Sequence, residues 1–198
     1  MDYRDVLFAL LQEMSLKESF IMAIDGRCAA GKTTLAGQLK KVCECDVVHM
    51  DDFYLPMEKR TSVRMEQPGG NIDFQRLSDE VLIPLTEGKQ AVYRPYDCHN
   101  NQYLESKKVD SDLITIIEGS YSCHPKLREF YKLCIFMDIS KELQIERLKV
   151  RNPMKLDDFK NIWIPREEKY FDICNIHESC DLVLSDERKV VYYAESFT

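Results

Sequence analysis

The sequence predicts an α/β fold with three layers (α/β/α), in which helices cover both faces of a mostly parallel central sheet. Two observations support this prediction. Short apolar runs that are typical of buried strands alternate with segments of helical periodicity. In addition, a glycine-containing segment at residues 26–33 joins an apolar run to a helical pattern. Repeated strand–helix units of this kind place parallel strands side by side with helices on the two sheet faces.

The strands are predicted from short apolar runs bounded by polar residues. The strongest runs are at residues 20–24, 47–50, 113–117 and 133–137. Residues 91–93 are a weaker candidate, and the pair 182–184 and 190–192 is expected to close one edge of the sheet.

The helices are predicted from apolar residues that recur at helical spacing. Such spacing predicts a first helix over residues 3–14, which lacks a basic polar face and is therefore expected to pack on the core rather than on a membrane. A second helix follows at 33–42, and a third carries Phe74, Leu77, Val81 and Leu82 on one face. Ser140 is a candidate N-cap of a later helix, which should end before Pro153.

Composition limits the classes of function. The chain is 44% hydrophobic and 31% charged, which is ordinary for a globular protein, and its net charge of −7 argues against a nucleic-acid partner. No signal peptide or apolar run of membrane length is visible. We therefore expect one domain over residues 1–198, located in the cytoplasm, with free thiols at its 8 cysteines.

Two groups of metal-type residues invite a metal-site interpretation. One group is Cys43, Cys45 and His49, and the other is Cys174, His177 and Cys180. Neither group has the paired Cys-x-x-Cys form of a structural zinc site. Small buried side chains are therefore the favoured interpretation of both groups.

Residues 26–33 match the phosphate-binding pattern G-x-x-x-x-G-K-[ST] and predict a P-loop NTPase that uses ATP and Mg²⁺. The glycines allow backbone N–H groups to surround phosphate oxygens, the lysine reaches the β- and γ-phosphates, and the threonine hydroxyl is a ligand of Mg²⁺. The candidate nucleotide-binding residues are Gly26, Arg27, Cys28, Ala29, Ala30, Gly31, Lys32, Thr33 and Thr34.

Acidic residues follow two further strands, and ligands of parallel sheets bind at the carboxyl ends of strands. One carboxylate of the Asp51-Asp52 pair could accept the proton of an attacking hydroxyl, and a solvated turn is the alternative. Glu118 could orient a Mg²⁺-bound water or cap a turn. The candidate metal residues are Thr33, Glu118 and Asp52.

Basic residues form two local groups. Arg147 and Arg151 are four residues apart, so on a continuous helix they share a face and could neutralise charge on the transferred phosphoryl group. An ordinary surface pair is the alternative. Lys59, Arg60 and Arg64 could bind a phosphate of the acceptor, although a solvated loop is the favoured interpretation.

In this order and spacing, the motifs resemble those of the uridine kinase and phosphoribulokinase group of P-loop kinases, which includes nicotinamide riboside kinase and bacterial pantothenate kinase. The resemblance extends from about Ile21 to Arg151. Its specific elements are Asp51-Asp52-Phe53-Tyr54, Asn71-Ile72-Asp73-Phe74, Pro95-Tyr96-Asp97 with His99, and Glu118-Gly119.

The resemblance implies roles for individual residues. It implies that Asp51 is the catalytic base, that Lys32, Arg147 and Arg151 assist transfer, and that a small helical lid lies near residues 147–165. It also implies that Tyr54, Tyr96 and His99 line a nucleoside pocket, while Asp73 either holds the ribose hydroxyls or caps a helix. The loop interior departs from the family pattern, because alanines stand where uridine kinases have serine and glycine, so residues with positive φ are expected elsewhere.

The expected function is transfer of the γ-phosphoryl group of ATP to a hydroxyl of a small molecule, with a nucleoside as the leading acceptor. Nicotinamide riboside, a pantothenate-like compound and a sugar phosphate stay open as acceptors. A regulatory P-loop NTPase is a second hypothesis, although the N-K-x-D segment of GTPases is absent. The oligomeric state is open, and a homo-oligomer is compatible with the sequence.

Overall fold

A computed structural model describes residues 7, 9, 11, 19–185 and 190–193 of the chain. The six strands of the central sheet are β1 (Ile21–Gly26), β2 (Cys45–His49), β7 (Ile114–Glu118), β8 (Leu133–Met137), β9 (Leu182–Leu184) and β10 (Val190–Tyr193). Their order across the sheet is β10-β9-β8-β1-β7-β2. The five strands from β9 to β2 are parallel, and only β10 pairs antiparallel, at the edge.

Four short strands form two small sheets outside the central one. They are β3 (Ala91–Tyr93), β4 (Tyr96–Asp97), β5 (Gln102–Tyr103) and β6 (Lys107–Val109). β3 pairs antiparallel with β6, and β4 pairs antiparallel with β5. The sequence predicted β3 alone, because strands of two or three residues are too short to show an alternating pattern.

Helices connect the strands and cover the sheet. The longer helices are Lys32–Val42, residues 74–86, Lys141–Arg151 and residues 156–173. The second contains a π-helical turn at Ser78–Leu82, and the last part of the fourth is the α-helix Ile164–Ile173. Ser140 caps the helix Lys141–Arg151, since its side chain accepts a hydrogen bond from the backbone N–H of Leu143 at 3.3 Å. None of the helices in the described ranges is long and apolar enough to cross a membrane.

Successive residues of the central strands face opposite sides, which produces two apolar cores. In β1, Ile21 and Ala23 join the core that contains Phe136 and Tyr170. Met22 and Ile24 join the core on the other face. This alternation is the strand period of two, and it gives the three layers that the sequence predicts.

The second core also contains the described part of the predicted first helix. Leu7, Ala9 and Leu11 are helical, and the side chains of Leu7 and Leu11 are buried in this core. The remaining residues of the predicted 3–14 helix lie outside the described residues.

Candidate active site

The loop from Gly26 to Thr33 leaves β1 and enters the helix Lys32–Val42. Gly26 has a φ of 137°, and a Cβ atom there would lie 2.2 Å from the carbonyl oxygen of Met137 on β8. Gly31 has a φ of 104°. Ala29 also has a positive φ, of 61°. The expectation that the alanines avoid positive φ is therefore wrong at this position, where the surrounding loop imposes a left-handed turn on a non-glycine residue.

The Lys32 ammonium lies against the loop itself. It donates hydrogen bonds to the carbonyl oxygens of Gly26 at 2.7 Å and Arg27 at 3.0 Å. Below the loop, the fully buried Asp25 carboxylate accepts hydrogen bonds from the Cys123 N–H at 2.9 Å and the Tyr170 hydroxyl at 2.7 Å. Burial raises the pKa of Asp25, and the nearby Lys32 charge opposes that rise.

Three side chains from three elements meet beside the loop. The Thr33 hydroxyl, in the first turn of the helix Lys32–Val42, donates to the two oxygens of the Glu118 carboxylate at 3.0 and 3.2 Å. Glu118 ends β7 and is buried, and its Oε1 lies 2.6 Å from Nδ1 of His49, which ends β2. The contact follows from the parallel register, which pairs His49 with Glu118. The hydrogen bond with Glu118 raises the pKa of His49.

A cavity of about 500 Å³ opens on the outer side of the loop. The loop residues from Ala29 to Thr34 form one wall, and Asp138 and Ile139 form another. Arg147 and Arg151 also line the cavity, and Arg147 donates to the carbonyl oxygens of Ala29 at 3.1 Å and Ala30 at 3.3 Å. The two arginines are thus on one helix face that points to the loop.

The adjacent residues Asp51 and Asp52 have different surroundings. Asp52 Oδ2 accepts from the Tyr93 hydroxyl at 2.9 Å and pairs with Lys107 Nζ at 2.9 Å. Asp51 is exposed, and its carboxylate hydrogen-bonds the side chain of Tyr54. Strand alternation would instead pair Asp52 with Tyr54. The chain leaves β2 at His49 and forms a 3₁₀ turn at Met50–Phe53, which ends the alternation.

The residues expected to line the acceptor pocket are not all free to do so. The Tyr54 side chain is half-buried, and burial together with the neighbouring Asp51 carboxylate raises the pKa of its hydroxyl. The Tyr96 hydroxyl is hydrogen-bonded to the side chain of Asn101, and its ring packs on Tyr103. His99 is exposed between β4 and β5.

Asp73 caps the helix that begins at Phe74, because its side chain accepts from the Arg76 N–H at 3.2 Å. Of its two predicted roles, the structure therefore shows the cap, and a role toward ribose stays a prediction. The cap also holds Arg76 in place, whose guanidinium donates to the carbonyl oxygen of Asp52 at 2.8 Å.

Two residues of the predicted basic group at 59–64 bind backbone carbonyl groups. Arg60 donates to the carbonyl oxygen of Leu55, and Arg64 donates to those of Gly70 and Ile72. These bonds fix the segment before the helix at 74–86.

Within the described ranges, no group of three or more His, Cys, Asp or Glu side chains is arranged to hold a metal ion, and this includes the two cysteine groups.

The site contains two residues, His49 and Glu167, to which the sequence patterns assign no role in it. The sequence places His49 in a strand and in a metal-type group with Cys43 and Cys45, and its position at the end of β2, next to β7, is the signal for contact with Glu118. Glu167, on the helix Ile164–Ile173, accepts a hydrogen bond from the Cys28 N–H of the loop at 3.1 Å. No pattern in the sequence marks Glu167, because it lies 139 residues from its partner.

The parallel sheet and the loop at residues 26–33 define a P-loop nucleotide-binding protein. Residues 21–155, more than half of the chain, match the model of the phosphoribulokinase/uridine kinase family. The chain belongs to this family.

Individual relatives agree with this assignment. A uridine kinase of Clostridium perfringens is 26% identical over 147 residues, which cover 69% of this chain and 70% of the relative. The uridine-cytidine kinase B of Dictyostelium discoideum is 27% identical over 146 residues, covering 69% and 59% of the two chains. Among solved structures, a possible uridine kinase from Bacillus stearothermophilus superposes with a TM-score of 0.69 at 20% identity, covering 91% of this chain and 96% of that one, which is a likeness of fold.

Proposed function

We propose that the protein transfers the γ-phosphoryl group of ATP to a hydroxyl group of a small molecule, and that this acceptor is a nucleoside such as uridine or cytidine. The observation that carries the proposal is the contact of the Thr33 hydroxyl with the Glu118 carboxylate at 3.0 Å, beside the phosphate-binding loop. Glu118 also contacts His49, which is two residues before Asp51 in the chain. A hydroxyl and a carboxylate that suit Mg²⁺ are thereby grouped beside the loop, and the candidate base Asp51 follows β2.

The nucleotide side of the site fits Mg-ATP. The cavity has the phosphate-binding loop at one wall and two arginines at another. The Thr33 hydroxyl and the Glu118 carboxylate offer oxygen ligands, which Mg²⁺ prefers, either directly or through water. When bound, Mg²⁺ neutralises charge on the phosphate oxygens. Asp52 is less suited to the metal than the sequence suggests, because Tyr93 and Lys107 both bind Oδ2 of its carboxylate.

The acceptor side is assigned to Asp51 and Tyr54. Asp51 is exposed next to the site, so its carboxylate can take the proton of an incoming hydroxyl. Tyr54 donates to Asp51 and can orient it. Arg147 and Arg151 then stabilise charge on the phosphoryl group, and residues 147–165 act as the lid that closes over it.

A nucleoside acceptor is supported by what the relatives are called. A second candidate acceptor is a different metabolite, namely nicotinamide riboside, a pantothenate-like compound or a sugar phosphate. The observation that favours this candidate is that two side chains expected to contact a nucleoside are bound within the protein. Tyr96 is hydrogen-bonded to Asn101, and Asp73 caps a helix.

The test is phosphate transfer from labelled ATP with Mg²⁺ to a panel of nucleosides, vitamins and sugar phosphates. We expect one nucleoside to be phosphorylated with the highest kcat/KM. Preference for a vitamin or a sugar phosphate would support the second candidate. Hydrolysis of ATP that no acceptor accelerates would contradict both and would indicate a regulatory NTPase.

A further inference from the structure

Glu167 lies in the first turn of the helix Ile164–Ile173, just after the segment 147–165 and 139 residues from its loop partner Cys28. The residue is 4% exposed, and its carboxylate accepts three hydrogen bonds. Oε2 accepts from the Cys28 N–H at 3.1 Å and from Gln144 Nε2 at 3.3 Å, and Oε1 accepts from the Ser120 hydroxyl at 3.1 Å. A buried carboxylate requires such partners, because removal from water otherwise disfavours its charge.

The three donors belong to three different parts of the proposed site. Cys28 is in the phosphate-binding loop. Ser120 is two residues after Glu118, in the turn that leaves β7. Gln144 is fully buried on the helix Lys141–Arg151, one turn before Arg147, and its Nε2 also donates to the carbonyl oxygen of Cys28 at 3.2 Å. One carboxylate therefore joins the loop, the strand end with Glu118 and the helix with Arg147.

The adjacent Glu168 strengthens the same connection. Its carboxylate pairs with the guanidinium of Arg27, which also binds Asp138 at 2.7 Å. Two consecutive glutamates of one helix thus hold two consecutive residues at the entry of the loop. The rest of the loop, from Ala29 to Thr33, makes no bond with this helix in the described residues and stays available for phosphate.

The negative charge of Glu167 would not attract a nucleotide. A carboxylate close to a phosphate-binding loop repels phosphate, and burial raises the pKa of Glu167 although Lys32 opposes that rise. The contribution that the geometry shows is the set of hydrogen bonds, which hold three elements at fixed distances, beside the attraction between Glu167 and Lys32.

We infer that Glu167 is a positioning residue for phosphoryl transfer, which fixes the entry of the phosphate-binding loop relative to Glu118 and Arg147. The inference rests on the proposed function for its kinetic consequence. A small displacement of aligned reacting groups lowers the rate by up to about 10²-fold without requiring a comparable loss of ground-state binding.

The decisive comparison is between Glu167→Gln and Glu167→Ala. A glutamine can keep all three bonds: its oxygen accepts from Cys28 and Gln144, and its NH₂ group donates to the Ser120 hydroxyl oxygen, which can accept. Alanine loses all three. Asp172→Ala, an exposed position on the same helix, is the matched control.

Two measurements are made on each folded variant. In steady-state kinetics, we expect Glu167→Ala to lower kcat by about 10- to 100-fold while the Kd for Mg-ATP changes less than about threefold, and Glu167→Gln to stay within about threefold of wild type. In amide hydrogen exchange of the free protein, we expect faster exchange in residues 26–33 for Glu167→Ala only.

A folded Glu167→Ala protein with wild-type kcat and wild-type loop exchange would overturn the inference. Equal damage by Glu167→Gln and Glu167→Ala would also overturn it, since the charge rather than the hydrogen bonds would then be required. The exchange measurement needs no acceptor. Failure of the wild-type protein to phosphorylate any acceptor would therefore contradict the proposed function, while loop exchange would still decide whether Glu167 anchors the loop.

Discussion

The Tyr93 hydroxyl donates a hydrogen bond to the Asp52 carboxylate at 2.9 Å, and this contact gives Asp52 surroundings different from those of the adjacent Asp51. Lys107 binds the same Asp52 oxygen, so Asp52 connects the end of β2 to the small β3–β6 sheet. Asp51 takes no part in that connection and faces solvent next to Tyr54. The pair thus contains one carboxylate that is bound to the small sheet and one that faces solvent.

This difference predicts unequal effects of two conservative substitutions. Asp51→Asn should lower kcat by about 10²–10⁴-fold with ATP affinity nearly unchanged, because it removes the proton acceptor. Asp52→Asn should affect stability more than kcat, since it weakens the bonds to Tyr93 and Lys107. Steady-state kinetics at saturating Mg²⁺ and thermal melting of both variants check this. A larger kcat loss in Asp52→Asn would show that the base is assigned to the wrong aspartate.

Replacement of Lys32 by alanine should abolish phosphoryl transfer while the protein stays folded. The ammonium group is positioned at the loop by two carbonyl oxygens, and its loss removes the positive charge expected at the β- and γ-phosphates. Because those buried bonds are lost as well, we expect a stability cost of roughly 1–3 kcal/mol. Lys40→Ala, at an exposed position of the following helix, is the control. Retained activity in folded Lys32→Ala would refute the phosphate-site assignment.

Substitution of Arg147 or Arg151 by alanine should lower kcat more than it weakens ATP binding. Both side chains line the cavity beside the loop, and charge on the phosphoryl oxygens is redistributed in the transition state. Lys149→Ala removes an equal charge from an exposed position between them, and it should change neither parameter appreciably. If only the KM for ATP rose, the residue concerned would serve binding instead of transfer.

His124 predicts a pH dependence of stability. Its buried ring lies 4.3 Å from that of Phe74, and burial lowers the pKa of His124 from 6.5 to about 4. Between these values the unfolded chain takes up a proton that the folded protein does not, so the free energy of unfolding should fall as the pH decreases from 6.5 toward 4. Denaturant titrations at several pH values measure this contribution.

The matched variants are His124→Gln and, as a control, His99→Gln, whose ring is exposed. His124→Gln should lose part of the decrease in stability that the wild-type protein shows below pH 6.5, whereas His99→Gln should keep it. Identical pH profiles for the wild type and His124→Gln would contradict the assignment of this titration to His124.

Much of the fold could be predicted because it is encoded by local patterns. The run at 133–137 is a strand with the predicted bounds, and the Ser140 cap and the helix end at Arg151 are also confirmed. The helix Ile164–Ile173 was not predicted, and β4, β5 and β6 are too short to show a period.

The sequence by itself determined the phosphate-binding loop, the strand that precedes it, the helix that follows it, and the acidic residues after β2 and at the end of β7. These features depend on backbone conformation and burial within short segments, which nearby residues dictate. Only the tertiary structure decided which of Asp51 and Asp52 faces solvent, and that Glu167 supports the loop. Those relationships join residues from distant parts of the chain, 41 residues apart for Asp52 and Tyr93 and 139 for Cys28 and Glu167. They arise from packing of complete elements, for which no local pattern exists.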